Sequence, residues 1–266
     1  MTSASLHQSV QAADAVVVIT GAGISLASGI PTFRGSDPGA VWATDITVLG
    51  TRRYFEQDPV GSWAWYLDRF GGLLRHEPNP AHHALVALER WAVARGRAFL
   101  LITQNVDCLH EAAGSTAMVK VHGTADRARC VAPNCAGAAP AGSLAMTAVD
   151  FSAFTAAPVA ENLPRCPRCG ALVRPHVLWF DEHYTDHLDY QIERAQRALQ
   201  RARLTIFVGT SFSVGITEMA LQTALQRGQG IYSIDPVSRP PHPAVSWIAR
   251  PSEEILPELA ALLMAS

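Results

Sequence analysis

The chain has 266 residues, is 48% hydrophobic and only 17% charged, and carries a formal net charge of −2. With a mean hydropathy of +0.11 it has apolar surface to offset its ordering entropy, which excludes a disordered chain, and no global basic field exists to hold nucleic acid. The longest apolar runs fall far short of the ~20 residues a membrane-spanning helix needs, and the opening MTSASLHQSVQAADAV has no basic region followed by an apolar stretch, so neither a span nor a signal peptide is expected and the expected location is cytoplasmic.

Ala15–Thr20 (AVVVIT) is a continuous β-branched run ending at Gly21, the pattern of a strand buried on both faces. Similar runs recur at Phe99–Thr103, Leu204–Gly209 and Ile231–Ile234, with helical patterns at Ala81–Val93, Leu188–Arg203, Ile216–Arg227 and Glu253–Leu263. Strand and helix alternating in this way predict an α/β fold with a doubly wound, Rossmann-like parallel sheet covered on both faces. Two stretches interrupt the alternation. Residues 45–78 are rich in aromatics and arginine and predict a helical insert; residues 125–175 hold two cysteine pairs, several prolines and many small residues. The predicted division is therefore 1–44, 79–124 and 176–266 for the sheet domain, with 45–78 and 125–175 forming a smaller, discontinuous one.

The first strand runs into Gly21-Ala22-Gly23-Ile24-Ser25. Glycine after a buried strand lets backbone approach a phosphate, and a helix starting there offers unpaired N–H groups. The same turn is also read as a tight connection alone. Leu26 stands where the dehydrogenase fingerprint wants a third glycine, so the hydride-transfer version fits badly. Phe33 and Arg34 follow on a loop punctuated by Pro31 and Gly35.

At the end of the second core strand, Gln104, Asn105 and Asp107 place amides and a carboxylate where ligands of open parallel sheets bind; an Asx turn is the competing reading. His122 precedes Gly123 at a predicted strand end, where it is either a catalytic or a structural histidine. Cys130-x4-Cys135 and Cys166-x2-Cys169 supply the four thiolates of a closed structural zinc site, with buried reduced thiols or disulfides as the alternatives. Cys108 reads as a small buried hydrophobe.

GAGISLASGIPTFRG, TQNVDCLHEAAG, VHGT, the two cysteine pairs and Gly209-Thr210-Ser211-Phe212-Ser213-Val214 occur in sirtuin order, and over roughly 12–262 the chain resembles a sirtuin, an NAD-dependent protein-lysine deacylase. The resemblance implies NAD as co-substrate, one structural zinc ion and acylated lysine in proteins or peptides as the partner. It also implies a monomer that binds neither membrane nor nucleic acid. By position it assigns Gly21, Ala22, Gly23, Ile24, Ser25, Phe33 and Arg34 to the NAD pyrophosphate and the reacting ribose. Gln104, Asn105 and Asp107 fall in the nicotinamide and ribose pocket, and Gly209, Thr210 and Ser211 on the adenosine half. Ser233 and Asp235 fall near the adenine ribose, where Asp235 either accepts from a ribose hydroxyl or caps a turn, and Ser252 falls at one more NAD contact. His122 becomes the general base, with Asn105 and Asp107 beside it in catalysis. The implied products are free lysine, nicotinamide and O-acyl-ADP-ribose.

The peptide side of such a cleft corresponds to 174–182, including Leu178; Asp181 stands there where the family commonly has glycine, which puts a negative charge beside the peptide. In the helical insert, Tyr66 and Arg69 are i and i+3 and share a helix face. A phenol and a guanidinium there can grip a carboxylate. They resemble the Tyr-x-x-Arg of the desuccinylase and demalonylase branch, with Gly50 where that branch keeps a small residue. A helix in which Tyr66 packs and Arg69 is solvated is the competing reading, so acetyl and succinyl or malonyl both remain open. The alternatives for the chain as a whole are an NAD glycohydrolase or ADP-ribosyltransferase on the same fold, and a non-catalytic zinc module that reads acyl-lysine.

Overall fold

The computed structural model describes residues 3–32 and 46–265. Phe33 and Arg34, both expected to contact NAD, lie outside the described residues. Helix α1 (Ser3–Ala12) leads into β1 (Ala15–Thr20), followed by a 3-10 helix over Ala22–Ser28 rather than an α-helix. The helical insert comprises α2 (Ile46–Leu49), α3 (Arg52–Gln57) and α4 (Pro59–Phe70). Next come α5 (Pro80–Ala94), β2 (Ala98–Thr103), α6 (Leu109–Ala113) and β3 (Met118–Lys120). The cysteine-bearing segment holds β4 (Gly123–Cys130), β5 (Leu144–Ala145), α7 (Ser152–Ala156) and β6 (Val173–Val177). The chain closes with α8 (Ile192–Arg201), β7 (Leu204–Val208), α9 (Gly215–Gln226), β8 (Gly230–Ile234), β9 (Ser246–Ile248) and α10 (Ser252–Met264).

Six parallel strands form one sheet in the order β3-β2-β1-β7-β8-β9. The order reverses between β1 and β7, and ligands of such sheets bind beyond the carboxyl ends at that switch point. The β-branched run of β1 serves both faces. Val16 and Val18 pack with Leu85, Leu88 and Leu259 under α1, α5 and α10, whereas Val17 and Ile19 pack with Leu199, Ala220 and Ala224 under α8 and α9. The predicted helix over 188–203 is broken in two: Leu188–Tyr190 is a 3-10 turn, and Gln191, at φ 45°, sits in the left-handed region before α8.

The second sheet is antiparallel, in the order β5-β4-β6. Pro175 lies within β6, which is an edge strand, the place a sheet tolerates a residue without an N–H. Phe55, Trp63 and Tyr66 of the helical insert share one core with Leu144, Phe154, Val173 and Trp179 of the cysteine-bearing segment. The Trp63 indole donates to the carbonyl of Val173 at 2.8 Å, which ties α4 to β6. Among the described residues no helix is long and apolar enough to cross a membrane.

Candidate active site

The loops after β1 and β7 meet backbone to backbone. Gly21 N–H donates to Val208 O at 3.0 Å and Gly23 N–H to Gly209 O at 2.9 Å. A Cβ on Gly21 would lie 2.7 Å from Gly209 O, and one on Gly23 2.7 Å from Gly209 Cα. These glycines therefore permit the crossing of two loops, a role beyond the approach to phosphate read from the sequence. Gly209 has φ +58°, a conformation that favours glycine.

Against this crossing the loop after β2 packs its polar side chains. The Gln104 amide donates to Thr20 O at 3.1 Å and to Thr210 Oγ1 at 3.3 Å. Asn105 donates to Gly21 O at 3.2 Å and to Ser25 Oγ at 3.1 Å, while Ser25 Oγ–H donates to Asp107 Oδ2 at 2.9 Å. Asp107 Oδ1 also accepts from Leu109 N at 3.1 Å, so the Asx turn weighed in the sequence is present together with the network. Burial raises the Asp107 pKa, opposed by the Leu109 and Ser25 hydrogen bonds and by the Lys120 ammonium.

His122, between β3 and β4, is half-buried; its Nδ1 lies 2.9 Å from Gln104 O and its Nε2 3.3 Å from the Tyr184 hydroxyl. Burial pushes its pKa down to about 4, against the opposing Gln104 hydrogen bond, so the ring is neutral at pH 7. Its own carbonyl accepts from Leu178 N at 2.9 Å, which fixes the chain after β6 alongside.

A cavity of about 480 Å³ runs along this crossing. His122, Gln104, Asn105, Tyr66 and Leu178 line it, together with Gly21–Gly23, Gly209–Ser211 and Asp235. Ser25, Asp107 and Arg69 line an adjoining cavity of about 750 Å³, whose walls share Ala22 and Asn105 with the first. The Ile24 side chain packs into the core instead, and Ser233 and Ser252, 1% and 4% exposed, lie outside both linings. Asp235 caps its own turn, accepting from Val237 N at 2.9 Å and Ser238 N at 2.5 Å.

The exposed Asp181 caps the start of α3. Its carboxylate accepts from Arg52 N at 2.7 Å and Arg53 N at 3.1 Å, pairing the first two N–H groups of α3, while Thr51 Oγ1 takes the third from Tyr54 N at 3.1 Å. With Phe180 N donating to Gly50 O at 3.0 Å, the segment after β6 is latched to the helical insert. Beneath it, Glu182 is held by the Arg129 guanidinium at 2.8 Å and the Arg174 guanidinium at 2.5 Å, and Arg174 stacks 3.3 Å over the Trp179 ring.

The four paired cysteines converge, all Sγ atoms lying within 4.8 Å of one another, with Cys130–Cys169 at 3.5 Å and Cys135–Cys166 at 3.7 Å. A zinc ion bonded at about 2.3 Å to four thiolates spaces its sulfurs about 3.8 Å apart, whereas a disulfide needs about 2.0 Å. The donor set thus fits zinc and not disulfides. Backbone N–H groups of Ala132 and Gly137 point at Cys130 and Cys135 Sγ, each at 3.4 Å, as suits thiolates. Freshly purified protein is expected to carry one zinc ion per chain by mass spectrometry of the metal; metal-free protein with four titratable thiols in this cluster would refute the site. A second cluster, His176, His187 and Asp189, does not make a metal site. His187 uses both nitrogens, Nδ1 accepting from Asp189 N at 3.1 Å and Nε2 donating to Gly142 O at 2.9 Å, and the positive charges of Arg129, Arg127 and Arg174 face His176.

The sequence reading passed over Tyr184. No local signal marks it, because its partner His122 lies 62 positions away.

A model of the Sir2 family matches residues 21–215 of the chain. An NAD-dependent protein deacylase of Thermus thermophilus is 39% identical over 226 residues, covering 85% of this chain and 80% of that protein. NAD-dependent protein deacylase 1 of Pseudomonas aeruginosa is 38% identical over 246 residues, 92% of each chain. The crystal structure of a Sir2 homologue in complex with NAD superposes with a TM-score of 0.80 at 34% identity, covering 98% of this chain and 94% of the other.

Proposed function

Because the chain belongs to the Sir2 family and is an NAD-dependent protein deacylase, we propose that His122 is its general base in freeing acylated lysine side chains, with nicotinamide and O-acyl-ADP-ribose as the other products. The observation that carries this reading is a neutral imidazole, set by Gln104, in the wall of a cavity at the sheet's switch point. NAD supplies the ribose carbon that takes the acyl oxygen as nicotinamide leaves. The chain's own part is to bind and to move protons. His122 accepts a proton from a ribose hydroxyl at Nε2. Gln104, Asn105 and Asp107, tied to Ser25 and to the Gly21 carbonyl, line the nicotinamide and ribose end. Gly209, Thr210, Ser211 and Asp235 receive the adenosine half. The cysteine cluster holds zinc and so fixes the sheet that ends in the peptide-side segment. The same reading gives a monomer in the cytoplasm.

The proposed acyl group carries a carboxylate, as succinyl or malonyl does. Tyr66, 2% exposed, is among the residues lining the His122 cavity, and its buried hydroxyl finds no hydrogen-bond partner among the described residues, so that donor suits an acceptor on the substrate. Arg69 lies one turn further along α4, beside the adjoining cavity. A hydrogen bond to a charged group contributes about 1.5–3 kcal/mol, or about 10- to 150-fold in preference. NAD-dependent turnover of one peptide bearing acetyl- or succinyl-lysine, read by mass spectrometry, tests this. Arg69→Met is expected to cut succinyl turnover by about that factor and to spare acetyl. Equal losses on both would make Arg69 a scaffold residue, and NAD loss without any deacylation would point to a glycohydrolase.

A further inference from the structure

A neutral histidine has one N–H and one lone pair, and its neighbours decide which nitrogen has which. Gln104 O is an acceptor only and lies 2.9 Å from Nδ1, so Nδ1 carries the proton and Nε2 the lone pair. The Tyr184 hydroxyl lies 3.3 Å from Nε2. Its oxygen accepts from Ile216 N at 3.2 Å, in the first turn of the twelve-residue helix α9. That N–H is one the helix leaves unpaired, at the positive end of its dipole. With its oxygen occupied there, the phenol has its proton to give to Nε2. The Tyr184 and His122 rings lie nearly parallel, 19° apart with centroids at 5.8 Å, and Tyr184 packs against the core under α8 and α9. Burial raises the Tyr184 pKa, which keeps the phenol protonated.

We propose that Tyr184 is the positioning residue of the base: donating to Nε2, it fixes the Nδ1–H tautomer and holds His122 neutral until a substrate hydroxyl takes its place. The inference rests on the reading of His122 as the base. A hydrogen bond donated to the neutral ring lowers its pKa, so losing that bond raises it. Gln104 from the loop after β2 and Tyr184 from the segment after β6 face the ring, and among the described residues no charged side chain contributes to its titration.

The test is Tyr184→Phe in the full chain, which keeps the ring and its packing. Nitrogen-15 NMR of the histidine rings follows the tautomer and titration of His122 without turnover, and the pH profile of kcat/KM for NAD reports the same group. Both the titration and the acidic limb are expected to move up by about half to one pH unit. Titration and limb that stay in place while thermal stability falls would overturn the proposal and leave Tyr184 a packing residue. If the phenylalanine variant does not fold, protein labelled with 3-fluorotyrosine decides: its stronger phenol donor is expected to move the titration down, and no movement overturns the proposal. A shifted titration together with full activity in His122→Ala would instead sink the base assignment and keep the contact.

Discussion

His122→Ala is expected to lower kcat/KM for NAD-dependent deacylation by about 10²- to 10⁴-fold, the range a positioned general base contributes. Stability is expected to change little. The ring is half-buried at a cavity wall, and the groups it leaves behind, the Gln104 carbonyl and the Tyr184 hydroxyl, border space that water enters. NAD affinity, measured by calorimetry, is expected to survive, because the pyrophosphate and adenosine ends of the proposed site are built from Gly21–Gly23 and Gly209–Ser211. The separation of these effects is what distinguishes a base from a binding residue. Full activity on an acyl-peptide by mass spectrometry would overturn the assignment, and loss of activity with loss of NAD binding would make His122 part of the pocket's framework.

What the sequence made legible follows the length of its patterns. β1, β2, β7 and β8 are runs of five or six residues with a β-branched core, and the run alone places them. β3 and β9 have three residues each, too few for a period to show. β4 reads GTADRARC and has no clean alternation, because it is buried nearly throughout, between β5 and β6 and against the helical insert. Short-range site chemistry was equally legible in the cysteine spacing. Contacts across the fold were not. That Asp181 also takes two N–H groups of α3, from 129 and 128 positions away, has no local signal. Tyr184 is silent for the same reason.

Acid is expected to destabilise this protein before its carboxylates titrate, because four histidines are held neutral in the interior, besides His122 in the cavity wall. His82, His110, His176 and His187 are at most 2% exposed. Burial pushes His82 down to about 4 and His176 to about 3, and lowers His110 and His187 as well. Each has an unfolded value near 6.5. Below it, the unfolded chain takes up protons that the folded one refuses, so stability is complete above about pH 6.5 and falls as pH drops toward the folded values. For His82, His122 and His176, pushed down to about 4, 4 and 3, the loss is about 1 kcal/mol per pH unit each, so about 3–4 kcal/mol by pH 5.5, a large share of a domain's stability. Asp107, raised by burial, works the other way and is a single group. Glu182, its pKa lowered by the Arg174 hydrogen bond against its own desolvation, adds a further loss that sets in as pH falls through the unfolded carboxylate value. Scanning calorimetry with zinc present is expected to show Tm falling by about 10 °C between pH 7 and 5.5, with net proton uptake on unfolding. A Tm that holds level across that interval would mean these histidines are protonated in the folded protein. His176 argues against that outcome, since Arg129, Arg127 and Arg174 surround it with positive charge and its Nδ1 has no acceptor among the described residues to receive a second proton.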